Sequence, residues 1–141
     1  MVANERKFLI FFSNGQQYAF DLAEVSEVMD PVISWPIPLA PPCYIGAINF
    51  HGAIVAVMDL ADFLGLASCS ELEKIIVLDL NVASLGFLVE RVARIVSEQE
   101  IEFHEAPDIR FAVASLSLPE GRAALLDINA IIREAEILMN G

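Results

Sequence analysis

Short apolar runs, most of them alternating with a period of two and broken by turn residues, dominate the chain. Tyr44–Leu60 is the clearest stretch. Tyr44, Gly46, Ile48 and Phe50 point one way, and Ile45, Ala47 and Asn49 the other. Beyond His51-Gly52, Ala53, Val55 and Val57 oppose Ile54, Ala56 and Met58. Alternating β-branched runs about a Gly-bearing pair predict a hairpin with a two-residue turn. Both faces are apolar, which predicts cover on both sides. Asp59 follows as the cap of a short helix that Gly65 ends.

The same reading extends along the chain. Phe8–Ser13 and Tyr18–Leu22 flank Asn14-Gly15 as an opening hairpin. Asp21 caps a predicted helical stretch, Ala23–Met29, with Val25, Val28 and Met29 on one side and Glu24 and Glu27 on the other. Five of the seven prolines fall in Pro31–Pro42. Proline removes backbone donors and fixes φ, so this segment reads as a stiff, extended connector. It carries the single tryptophan, Trp35, whose ring is expected as a lid folded onto the core, with a platform for a partner or ligand as the functional alternative.

Ala67–Glu73 reads as a polar link. Lys74–Leu80 and Leu85–Val89 are strands about a turn at Asn81–Ser84. Glu90–Ile95 either continues the second strand with a kink or makes one helical turn, and Ser97–Glu105 is acidic and expected to be exposed. Phe111–Leu118 and Arg122–Leu126 flank Pro119-Glu120-Gly121 as a further hairpin. Ile128–Met139 has the spacing of a closing helix, with Asp127 as its cap. An internal echo supports the pattern: Val57–Leu64 and Leu125–Ile132 both read apolar-apolar-Asp-apolar, with their aspartates 68 positions apart. Together with about ten short strands, this favours an all-β fold of two small barrels over one sandwich.

Composition changes this picture in two respects. The 141 residues fit one domain or two small linked barrels, and 56% of them are hydrophobic. A domain of this size buries about 70% of its unfolded surface, so some of the apolar excess is left for a partner or makes a very apolar core. The formal charge of −12 argues against nucleic acid and anionic lipid as partners, since both need clustered Lys and Arg. No apolar run approaches the roughly 20 residues of a membrane span, so direct membrane insertion is not expected. The mixed-charge N-terminus has an apolar run of only Phe8–Phe12, too short for a signal peptide, and a cytoplasmic location is the expectation. Cys43 and Cys69 stand 26 positions apart and read as reduced, partly buried thiols.

Catalytic chemistry has little to stand on. His51 and His104 are far apart in sequence, and with two scattered cysteines they make no metal spacing. No glycine-rich loop precedes Lys-Ser or Lys-Thr, so no phosphate loop and no cofactor is expected. Asp59 and Asp127 are expected as helix caps and not as a carboxylate pair, and Ser115 and Ser117 have no base nearby in the sequence. His104 reads as a surface residue.

Four segments in order carry a resemblance: FLIFFSNGQQYAFDLAEVSEV, YIGAINFHGAIVAVMDL, KIIVLDL with SLGFLVERVARIV, and FAVASL with GRAALLDINAII. Over roughly Lys7 to Ile132 the chain resembles the CheW-like domain, the adaptor module of bacterial chemotaxis signalling. The resemblance implies a single domain over 1–141 made of two packed five-stranded SH3-like barrels, with short helices and no catalytic activity. It implies two partners: the tips of methyl-accepting chemotaxis receptors and the regulatory domain of a histidine kinase, which shares the fold. The kinase contact would fall on Val25, Ser26, Glu27 and Val28, in the helix-like segment after the second strand. The receptor contact would use a groove between the barrels, near Lys74 and Ile75, with His51 close to both surfaces. Two positions depart from the family pattern. His51 replaces an arginine in the turn, losing a permanent charge and a five-donor fork. Ala56 replaces a proline, restoring a backbone donor. The rival reading is a small-molecule-binding barrel, for a purine-like ligand, with Trp35 or Tyr44 as the stacking surface.

Overall fold

The computed structural model describes residues 5–67 and 71–140. In chain order the strands are β1 (Lys7–Ser13), β2 (Gln16–Asp21), β3 (Val25–Met29), β4 (Tyr44–Phe50) and β5 (Ala53–Asp59). After the short helix α1 (Leu60–Phe63) come β6 (Lys74–Leu78), β7 (Leu85–Val89), β8 (Arg91–Ser97), β9 (Glu102–His104), β10 (Ala112–Leu118) and β11 (Gly121–Leu126). Helix α2 (Ile128–Asn140) closes the chain. Both predicted two-residue turns have left-handed backbone throughout: φ is 52° and 77° at Asn14-Gly15, and 50° and 85° at His51-Gly52. That geometry matches the twist of the strands it joins.

The strands form two sheets. One has the order β8-β1-β2-β11-β10-β9 and the other β3-β6-β7-β5-β4. The second is continuous in sequence. The first is assembled from both ends of the chain, through a parallel pairing of β11 with β2. Alternation sorts the side chains into three apolar layers. Phe8, Ile10, Ala19, Val96, Leu116 and Leu125 fill the interior of the first barrel. Ile48, Phe50, Val55, Val57, Ile75 and Val77 fill the second. The alternate residues of the same strands, Leu9, Phe11, Tyr18 and Phe20 from the first sheet and Met58, Ile76, Leu78 and Phe87 from the second, meet in a layer between them. Phe20 stands 5.4 Å from Phe87 across that layer, ring centre to ring centre. Each barrel curls shut across its edges: Phe8 meets Phe103 of β9 at 5.7 Å, and His51 reaches Glu27 of β3.

The internal echo is structural. Asp59 Oδ1 accepts from Asp62 N at 3.3 Å, and Asp127 Oδ1 from Ala130 N at 3.1 Å. Both aspartates cap a helix whose buried face, Leu60 and Phe63 or Ile128, Ile131 and Ala135, enters the middle layer. Ala56 uses its restored N–H, donating to the Ser84 carbonyl at 3.2 Å.

Four expectations are corrected. Val25–Met29 is a strand, not a helix; only Leu22–Glu24 turns helically, with Asp21 as its cap. Pairing with β6 decides this, and it suits the β-branched Val25 and Val28. The first sheet has six strands and not five, because Glu102–His104 pairs with β10 inside the stretch expected to be merely exposed. The central hairpin is not covered on both sides: Ile54 near its turn is 78% exposed and Ile45 at the start of β4 is 41% exposed. Trp35 is 58% exposed and is no lid on the core. Of the two helical-or-strand options for Glu90–Ile95, the strand holds: β8 continues past a kink at Glu90, whose N–H donates to the Phe12 carbonyl at 3.0 Å as the chain crosses between sheets. Cys43 is buried as a free thiol, whereas Cys69 lies outside the described residues.

Candidate partner-binding surfaces

Strand β3 is an edge of the second sheet, with β6 as its only sheet neighbour. Alternation along it leaves Ser26 and Glu27 exposed and Val25 and Val28 half-buried against the middle layer. A register irregularity between Val25 and Glu27 places both polar side chains together on the outside. Of the four expected kinase-contacting residues, only Ser26 and Glu27 therefore present exposed side chains.

His51 belongs to the same surface. Its Nε2 lies 3.4 Å from Glu27 Oε1, with the two side chains 73% and 46% exposed. Its ring also sits edge-on to Phe50, at 4.5 Å. Lys74 Nζ meets Asp30 Oδ1 at 2.5 Å one step along that edge. Ile75, by contrast, is 3% exposed inside the second barrel and offers a partner nothing. The structure thus joins Glu27, expected on the kinase contact, to His51, expected close to both partner surfaces.

Two features were missed in the sequence. One is a proline-rich strap. Trp35 N donates to Ala47 O at 2.9 Å, and Ala47 N to Trp35 O at 2.8 Å, so the connector lies along the free edge of β4. Gly46 permits the approach: a Cβ there would come 2.6 Å from the Trp35 carbonyl oxygen. Pro31, Val32, Ile33, Trp35 and Asn49 outline an open depression of about 550 Å³, with Ile33 79% exposed. The prolines signalled an extended segment, but nothing local named β4 as its partner.

The other feature is a trough between α2 and the outer face of the second sheet. Tyr44, Ala56, Leu85, Ile132 and Met139 line it, and its volume is about 230 Å³. Ile137 and Leu138 extend apolar surface along the helix. Lys74 and Ile75 do not line this trough. Burial pushes the Tyr44 phenol up from its ordinary range, with Cys43 and Glu136 adding to the effect. Burial likewise raises the Cys43 thiol, helped by Asp62.

Among the described residues no cluster of His, Cys, Asp and Glu could hold a metal, and no helix is long and apolar enough to cross a membrane. The register does place His104 across from Ser115, a neighbourhood invisible in the sequence. His104 Nε2 has no hydrogen-bond partner, and its nearest charge is Glu102 at 3.7 Å. A triad needs the base bonded to its nucleophile, and this pair lacks that bond.

The model of the CheW-like domain family matches residues 7–136. Chemotaxis protein CheW of Thermotoga maritima is 30% identical over 139 residues, covering 94% of this chain and 91% of the relative. Chemotaxis protein CheW of Bacillus subtilis is 24% identical over 134 residues, 89% of this chain and 86% of the relative. The crystal structure of the scaffolding protein TtCheW from Thermoanaerobacter tengcongensis superposes with a TM-score of 0.77 at 22% identity, over 91% of this chain and 92% of that one. The two packed sheets and the match along nearly the full length agree, and the chain belongs to the CheW-like domain family.

Proposed function

We propose that this chain is a non-catalytic cytoplasmic adaptor that couples methyl-accepting chemotaxis receptors to the regulatory domain of a two-component histidine kinase. The observation that carries the reading is the exposed apolar surface of the second barrel. Ile33, Trp35, Ile45 and Ile54 are left uncovered there, next to the Glu27–His51 edge, in a member of a family whose named relatives are chemotaxis proteins. Apolar patches with polar rims suit contacts of moderate strength that re-form readily. The kinase side falls to Ser26, Glu27 and His51. The receptor side falls to the trough against α2, where an amphipathic helix would lay its apolar face. Neither role calls for a cofactor.

Of the two stacking surfaces for the purine-binding alternative, the Tyr44 trough, at about 230 Å³, is smaller than the usual small-molecule site, and Trp35 lies on an open depression at the surface. The adaptor reading is tested by titrating the protein against the kinase regulatory domain and against receptor-tip peptides. Binding to at least one is expected. No binding up to about a millimolar, the weakest useful affinity for such a contact, sinks it.

A further inference from the structure

The free edge of the second barrel carries two carboxylates, and they differ in what holds them. Asp30 is taken by Lys74 at 2.5 Å. Glu27 has one partner among the described residues, His51 at 3.4 Å, in an exposed contact. Beside this pair lies the depression of Pro31, Val32, Ile33, Trp35 and Asn49. Asn49 makes the two one unit, since its Oδ1 accepts from the Gly52 N–H of the His51 turn at 2.9 Å.

Resting on the adaptor reading and deepening it, we infer that this end of the barrel seats its partner by two groups: a Lys or Arg side chain on Glu27 and an apolar side chain in the Trp35 depression. His51 competes with the partner's cation for the same carboxylate. Charge complementarity selects this occupant. The chain carries a formal charge of −12, and the one lysine on this edge is already paired. An apolar partner surface rimmed by basic residues therefore meets attraction here, and an acidic rim repulsion.

His51 holds Glu27 through one exposed contact at 3.4 Å, where a guanidinium would present a five-donor fork. A partner's cation therefore meets only a weak competitor at this carboxylate. Glu27, from β3, is the titratable group in bonding reach of the His51 ring. Phe50 contributes only its ring, and Asp30 is tied to Lys74.

The test uses the full chain with 5-fluorotryptophan at its single tryptophan, Trp35, and the regulatory domain of the chemotaxis histidine kinase from the same organism. Affinity is measured by calorimetry, and the fluorine resonance reports on the depression. The resonance should shift on binding, and Glu27→Gln should weaken binding about three- to tenfold. His51→Ala, which removes the competitor for Glu27, should bind at least as tightly as the unmodified protein. Binding that leaves the fluorine resonance and the Glu27→Gln affinity unchanged overturns the inference while the adaptor reading stands. Weaker binding by His51→Ala overturns the competition. No binding by any variant sinks both.

Discussion

Gly46→Ala tests the strap with a single methyl group. The added carbon would lie 2.6 Å from the Trp35 carbonyl oxygen, 3.1 Å from its carbonyl carbon and 3.2 Å from Ser34 Cβ. The first of these is a backbone atom, so no side-chain rotation relieves the clash and the strap must move outward. Its anchors are the two hydrogen bonds between Trp35 and Ala47, at 2.9 and 2.8 Å. Losing both, at a net 0.5–1.5 kcal/mol each, costs about 1–3 kcal/mol. For a chain of 141 residues, about 4 °C per kcal/mol applies, so the melting temperature should fall by about 4–12 °C. Calorimetric melting gives the stability. Acrylamide quenching of Trp35, already 58% exposed, gives the local change and should rise as the strap leaves β4. An unchanged melting temperature together with unchanged quenching would refute the claim that Gly46 is required for the strap to lie where it does.

Further outcomes follow from other layers. Glu27→Lys should weaken kinase-domain binding yet leave the melting temperature unchanged, because an exposed pair such as Glu27–His51 is worth about 0–1 kcal/mol; an equal loss of stability would mean that the residue is structural. Phe20→Ala removes a fully buried ring that touches Phe11 at 4.7 Å and Phe87 at 5.4 Å, and urea unfolding should show a loss of about 3–5 kcal/mol. Burial, with Asp21 and Asp127 nearby, raises the Glu24 carboxyl above its ordinary range. A raised carboxyl contributes stability below its unfolded pKa, about 4.3, and loses it as pH rises through the folded value. Glu24→Gln should therefore melt higher than the unmodified protein at pH 7 and lose that advantage below about pH 4; a lower melting temperature at pH 7 would reverse the assigned sign.

Several elements were legible because their causes are local. Asn14-Gly15 and His51-Gly52 specify hairpins through backbone torsions that few residues accept. Asp59 and Asp127 announce their helices through their own side-chain bonds. The candidate site was legible only in part. Glu27 and His51 were both singled out, but not as a pair in contact, and Trp35 was expected against the core.

The sequence by itself determined the strands of the four hairpins, their turns, the two caps and the family, since each depends on residues a few positions apart. Only the tertiary structure decided which face of each apolar strand enters a barrel and which enters the layer between. Phe8 and Leu9 are equally apolar, and only partners from β8 and β7 tell them apart. It also decided that Val25–Met29 is a strand, because valines three apart suit either form until β6, some fifty positions later, supplies a ladder. The meeting of Glu27 with His51 and of Trp35 with Ala47 has the same origin: both contacts cross the edges of a curled sheet, and local sequence carries no record of where such edges meet.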